Sequence, residues 1–215
     1  MPSNSHSQFK LHSHDRAGVW ESNANRYRTY AHELLAELER LCTTIHSQWP
    51  VDAGSSIRDE SRHGELWRLV RIRDQKSDSV RIYAAMAIEG FLNFYGVLRL
   101  GQDVYDDHFE RLGIVPKLRT LLLVSNQTNV PKKDQLCLDL DAVAQSRNAL
   151  VHPKTREVAG DPLTHERSYT EVPGAARRSV EAMESFFSGF VAAVPAIAQH
   201  LNLEKVPRQT STELM

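Results

Sequence analysis

Cysteine and net charge are both scarce in this chain. Only Cys42 and Cys137 occur among 215 residues. They stand at no metal-ligand spacing and are too few for a disulfide framework, which points to reduced thiols and a cytoplasmic setting. Lysine and arginine together number 26 against 27 for aspartate and glutamate, a formal net charge of −1. That balance argues against a protein that coats nucleic acid generally, but leaves room for a local basic site. Long apolar runs are lacking too. The most apolar stretch, 80–100, is interrupted by Arg81, Glu89, Asn93 and Arg99, so no bilayer span and no membrane partner is expected. The N-terminus carries no signal-peptide pattern. A glycine-rich phosphate loop, a Cys/His cluster and a Gly-x-Ser-x-Gly elbow are all missing, and no cofactor or metal is expected.

Helical periodicity dominates what is present. An apolar fraction of 41% suffices for a real core, and the length suits one domain over residues 21–203 between flexible tails at 1–20 and 204–215. The N-terminal tail holds His12 and His14, a pair able to capture a metal adventitiously but more simply read as solvated. Tyr27, Ala31, Leu34, Leu38, Leu41 and Ile45 form the stripe of a helix over 23–48, closed by Trp49 and Pro50. Residues 51–78 are the least legible. Trp67, Leu69, Val70 and Ile72 alternate there with Arg68, Arg71 and Arg73, a pattern open to a short helix or a strand. The arginines would either hold a phosphate backbone or form a solvated face, the latter being the plainer reading.

Ser77, Asp78 and Ser79 then offer N-caps, and Gly101 a C-cap, for a central helix from 80 to 100 that is apolar almost all round. Two shorter helices are predicted over 103–112 and 114–123, the second facing Leu118, Leu121 and Leu122 to the core. Asp106, Asp107 and His108 invite a metal reading, which weakens because adjacent residues on a helix diverge by about 100°. The last helix, about 175–203, repeats Val180, Met183, Phe187, Phe190, Val194, Ile197 and Leu201. This face suits packing within the bundle or a seam with another subunit, and Pro195 predicts a bend. The fold expected is all-α, a bundle of five to six helices with a central antiparallel pair.

The chemistry-bearing stretch is the end of a helix over 132–152, where Arg147, Asn148, Ala149, Leu150, Val151 and His152 precede Pro153. Leu136, Leu140, Val143 and Leu150 form its buried stripe, and Arg147 fills the missing step. An arginine facing a core needs an acceptor. Glu89 and Asn93, four apart on the central helix, project together into the expected interior. A Glu89 to Arg147 ion pair between the two helices is therefore predicted. Pro153 stops the helix at His152, where the negative end of the helix dipole favours a protonated imidazole.

The Arg-Asn-Ala-Leu-Val-His run, preceded by a helix reading Ala-Ile-Glu-Gly-Phe-Leu-Asn, resembles the HEPN superfamily of all-helical domains. Its signature is an arginine followed four to six residues later by a histidine, often with a polar residue after the arginine. The resemblance covers about 79–154, with Lys117 falling where many members carry a lysine. It implies a metal-independent endoribonuclease or RNA-binding protein whose groove lies at a two-fold interface, hence a homodimer. Members act in toxin, defence and RNA-processing systems, so RNA and an antitoxin or other protein partner are the implied partners. By the same resemblance Arg147, Asn148 and His152 are the catalytic positions, supported by Glu89. Lys154 stands where some toxin members carry a modifiable tyrosine. Many other members are non-catalytic.

The residue types fit that chemistry. RNA cleavage without metal needs proton transfer at the 2′-hydroxyl and the leaving 5′-oxygen, and a cation near the phosphorane. His152 titrates in the useful range, Arg147 offers a planar fork for phosphate, and Asn148 shares a helical face with His152. Lys154 and Arg156, on the polar loop 153–173, and Asn93 are candidate substrate-binding residues. The alternative is a non-catalytic homodimeric module in which the arginine ties two helices together and the histidine caps one of them.

Overall fold

The computed structural model describes residues 23–48, 60–151 and 171–200. These form six α-helices and no strand: α1 (Asn23–Gln48), α2 (Glu60–Leu100), α3 (Gln102–His108), α4 (Ile114–Asn126), α5 (Gln135–Val151) and α6 (Glu171–Ala193), followed by a 3-10 turn (Pro195–His200). The all-α bundle expected from periodicity is the architecture found. The tails expected at 1–20 and 204–215, with His12 and His14, and most of the loop expected over 153–173 lie outside the described residues.

The clearest departure is α2, one continuous helix of 41 residues. Ser77, expected near a helix start, lies mid-helix. Its hydroxyl donates to the carbonyl of Val172 at 2.8 Å, while Ser79 bonds back to Gln75 at 2.9 Å. The buried positions of α2 explain why the sequence hid this. Leu66, Arg73, Val80 and Ala87 recur every seven residues, as do Ser77, Ala84 and Phe91. Two of these seven buried positions are polar, so the apolar stripe fades in the sequence just where the helix continues. Arg73 is tolerated there because Asp74 Oδ1 accepts from its Nε at 2.9 Å.

On α1 the same seven-residue step buries Ala24, Ala31, Leu38 and Ile45. The two matched repeats form an antiparallel seam of coiled-coil type. Ala24 lies beside Gly90, Lys76 Nζ donates to Glu37 Oε2 at 2.5 Å, and burial pushes the Cys42 thiol pKa up against the opposing charge of Arg73.

The other side of α2 carries the aromatic core. Phe91 meets Phe190 edge to face at 4.8 Å, and Tyr95 meets Phe190 at 5.0 Å, with Phe186 and Phe187 completing the cluster. The expected C-terminal stripe, Val180, Met183, Phe187 and Phe190 on α6 with Val194 and Ile197 after it, is buried within this chain, which assigns it to the bundle, while Leu201 lies outside the described residues. Each such side chain contributes about 1.5–3 kcal/mol on burial. Helix α6 begins at Glu171, earlier than expected, with Pro173 in the first turn where a missing N–H is harmless. At its other end Pro195 converts the chain to a 3-10 turn.

Helix boundaries follow local chemistry. Gly101, with φ 83°, turns the chain from α2 into α3. Gln127 closes α4 in the left-handed conformation, φ 55°, its amide bonding Leu123 O. Asp134 Oδ1 accepts from the amide of Leu136 at 3.0 Å, capping α5.

Candidate functional site

Helix α5 is held from three sides. It buries Leu136, Leu140 and Val143, three of the four apolar positions of its expected stripe, and Cys137 beside them, with Leu150 half-buried. Gly189 on α6 packs against Leu136, and Ser179 Oγ lies 2.9 Å from Ser146 Oγ, so α5 and α6 are antiparallel. Helix α6 runs with α2, since Val172 meets Ser77 and Phe187 meets Phe91. Helices α2 and α5 are therefore antiparallel, as expected.

The tie between α2 and α5 is not the one predicted. Arg81 reaches α5, its Nε donating to Ser146 Oγ at 2.8 Å and its Nη2 to Ser146 O at 2.6 Å. Arg147 adjoins that contact, so it stands near residue 81 of α2. Glu89 lies eight residues further on, about 12 Å along the axis at 1.5 Å per residue. The predicted Glu89 to Arg147 ion pair is not formed, and Glu89 is exposed. Arg147 is half-buried, and its Nη1 donates at 3.2 Å to Oδ1 of Asn148. Asn148 is exposed. His152, Lys154 and Arg156 lie outside the described residues.

Asn93 does point inward, but to a different partner. Its Oδ1 accepts from Lys117 Nζ at 2.9 Å and from the Tyr105 hydroxyl at 2.5 Å, and Lys117 Nζ also lies 3.0 Å from that hydroxyl. Lys117 is only 3% exposed. Burial pushes its pKa down, opposed by the carboxylates of Glu89 and Glu110. Burial, with Glu110, Glu89 and Asp106, pushes the Tyr105 hydroxyl up to about 12. Glu89 and Asn93 thus belong to the α2–α3–α4 corner, and Arg147 and Asn148 to the α5 end. Asp106, read as a metal candidate, instead accepts from the Gln102 amide at 2.7 and 2.8 Å. Among the described residues no group of three or more His, Cys, Asp and Glu is placed to hold a metal ion.

A second polar cluster escaped the sequence reading. Arg28, buried on α1, grips Glu184 of α6 through Nε to Oε1 at 2.5 Å and Nη2 to Oε2. Its guanidinium carbon lies 5.4 Å from the Phe187 ring centroid. His32 Nε2 lies 2.8 Å from the same Oε1. Burial raises the Glu184 pKa, but the hydrogen bonds from His32 and Arg28 outweigh it and leave the carboxyl below its ordinary value. The available signal was Arg28 itself, placed between the buried positions Ala24 and Ala31.

Among the described residues no helix is long and apolar enough to cross a membrane. No family model, no curated protein and no solved structure matches the chain.

Proposed function

We propose that the chain is a metal-independent endoribonuclease or RNA-binding protein of HEPN type, with the Arg147 to His152 motif lining a groove between two copies. The observation that carries this reading is the state of Arg147. Its guanidinium is half-buried and bonds the carboxamide of the neighbouring Asn148, while Glu89 stays apart from it. An arginine bonded to a neutral group retains its charge for phosphate. The exposure of Asn148 supports the same reading, because a phosphodiester must reach it.

In the proposed reaction the ribose 2′-oxygen attacks phosphorus as its proton leaves to a base. The P–O5′ bond breaks, and the 5′-oxygen takes a proton, leaving a 2′,3′-cyclic phosphate and a 5′-hydroxyl. His152 moves a proton, and Arg147 stabilises the charge that grows on the phosphorane. Lys154 and Arg156 bind flanking phosphates. A cytoplasmic setting and an antitoxin or other protein partner belong to the same proposal.

A second reading, a homodimeric interaction module without chemistry, draws on Leu138, Ala142, Ala149 and Val151. All are exposed on α5, and Leu138 and Val151 are 48% and 47% exposed. The deciding experiment incubates a mixed RNA pool with wild type, His152→Ala and Arg147→Ala in EDTA, with circular dichroism as the folding control. Cleavage that survives chelation, leaves cyclic-phosphate ends and vanishes in folded His152→Ala supports the nuclease. Absence of both cleavage and RNA binding, with a dimer in sedimentation, favours the module.

A further inference from the structure

Three tyrosines gather where α1 packs against α2. Tyr83 of α2 lies between two residues of α1. Tyr27 stacks on it at 5.9 Å with planes 24° apart, and Tyr30 meets it edge-on at 5.5 Å. The Arg26 guanidinium sits 5.4 Å from the Tyr27 centroid. Tyr30 is 40% exposed. A half-exposed ring braced by a second ring is held in one orientation before anything binds, which lowers the entropy cost of stacking a ligand on it.

We propose that Tyr30, braced by Tyr83, on which Tyr27 stacks in turn, takes one unpaired nucleobase of single-stranded RNA on its ring while Arg26, one turn before it, holds the adjoining phosphate. Two features select a nucleotide over a protein partner. Around Tyr30 the exposed residues of α1 are Asn23, Arg26, Thr29 and Glu33, a polar surround on that helix that suits a nucleotide better than the apolar anchor pocket of a protein hot spot. Arg26 and Tyr30 are one turn apart on the same helix face, about 6 Å along the axis. That span is comparable with the reach from a nucleotide's phosphate to its base. An aromatic face with a cation at its edge is the usual means of holding single strands without reading their sequence.

The site rests on the nucleic-acid part of the function proposed above, but needs no cleavage. Its test is binding, by fluorescence anisotropy in EDTA, of a short labelled oligo-uridine made with 2′-deoxy sugars to block cleavage, beside an abasic oligomer of equal length and charge. Wild type binds the base-containing strand more tightly than the abasic one. Tyr30→Ala loses roughly 5- to 150-fold, the range of one stacked base, and no longer distinguishes the strands, whereas Tyr30→Trp retains both properties. Arg26→Ala lowers the salt-dependence slope by about one. Glu33→Gln tightens binding to both strands by removing a like charge. If Tyr30→Ala binds both strands as wild type does, the stacking site is overturned while the RNA reading survives. If wild type binds neither strand and no RNA pool, the RNA reading falls, and the stacking site with it.

Discussion

Gly96 is the tightest point between α2 and α3, and its substitution tests the packing described there. A Cβ at Gly96 would fall closer than 3.0 Å to Cδ2 and Cε2 of Tyr105, and 3.3 Å from Leu121 Cδ2. Replacing a mid-helix glycine by alanine ordinarily stabilises by up to about 1 kcal/mol. At Gly96 the ring must move to make room. It is anchored through its hydroxyl to Asn93 and Lys117, so movement loosens bonds worth about 0.5–1.5 kcal/mol for a neutral pair and 1.5–3 for a charged one. Adding an overpacking cost of about 1–3 kcal/mol, the net effect of Gly96→Ala is a loss of at least about 2 kcal/mol. Gly90 provides the control, because a Cβ there meets only Ala24 N at 3.8 Å, and Gly90→Ala should gain about 0.5–1 kcal/mol. Urea unfolding followed by circular dichroism measures both variants, with unchanged slopes required for the comparison. In a Tyr105→Ala background, Gly96→Ala should reverse sign and stabilise. A Gly96→Ala protein as stable as wild type would refute the close approach of α2 and α3.

Gln127→Gly should stabilise by about 0.5–1 kcal/mol, since the left-handed φ of 55° strains any side chain; a thermal shift upward of a few degrees checks it. Glu184→Gln should cost about 2 kcal/mol at pH 7 by weakening the Arg28 and His32 bonds. Because the folded Glu184 pKa lies below its ordinary value, its contribution is present above about pH 4.3 and lost as the pH falls through the folded pKa. Acid unfolding should therefore be flatter in Glu184→Gln than in wild type over that window. Lys117→Met should change stability by no more than about 1 kcal/mol at pH 7, because it also removes the cost of burying an ammonium. The lowered Lys117 pKa means that this cost fades as the pH rises toward about 10, so wild type should gain on Lys117→Met over that range. Asn93→Leu, which removes the acceptor and leaves the ammonium buried, should cost about 2–4 kcal/mol, while Glu89→Gln at its exposed position should cost little.

The last of these comparisons marks where sequence reasoning stopped. Glu89 and Asn93 do share a face of α2, as their spacing required. Periodicity describes a face of one helix but does not say which residue of another helix comes opposite. Sliding α5 by two turns relative to α2 exchanges Glu89 for Arg81 opposite Ser146 and Arg147 without altering either helix's own pattern. Residues 60–78 failed for a related reason. Their buried positions include Arg73 and Ser77, whose acceptors are Asp74 beside one and Val172 far along the chain from the other.

The sequence by itself determined the all-helical class, the termini of α1, the glycine turn at Gly101, the buried stripes of α4 and α6, and the Ala31, Leu38 and Ile45 part of the α1 stripe. Each depends on propensity, capping and periodicity within a dozen or so residues, and is the same in any packing. Only the tertiary structure decided that α2 is one helix of 41 residues, that Lys117 takes the inward carboxamide of Asn93 while Glu89 and Arg147 stay apart, and that Arg28 grips Glu184 across 156 residues of chain. Those outcomes depend on helix register and on the cost of leaving a buried charge without a partner, and both are properties of the assembled bundle.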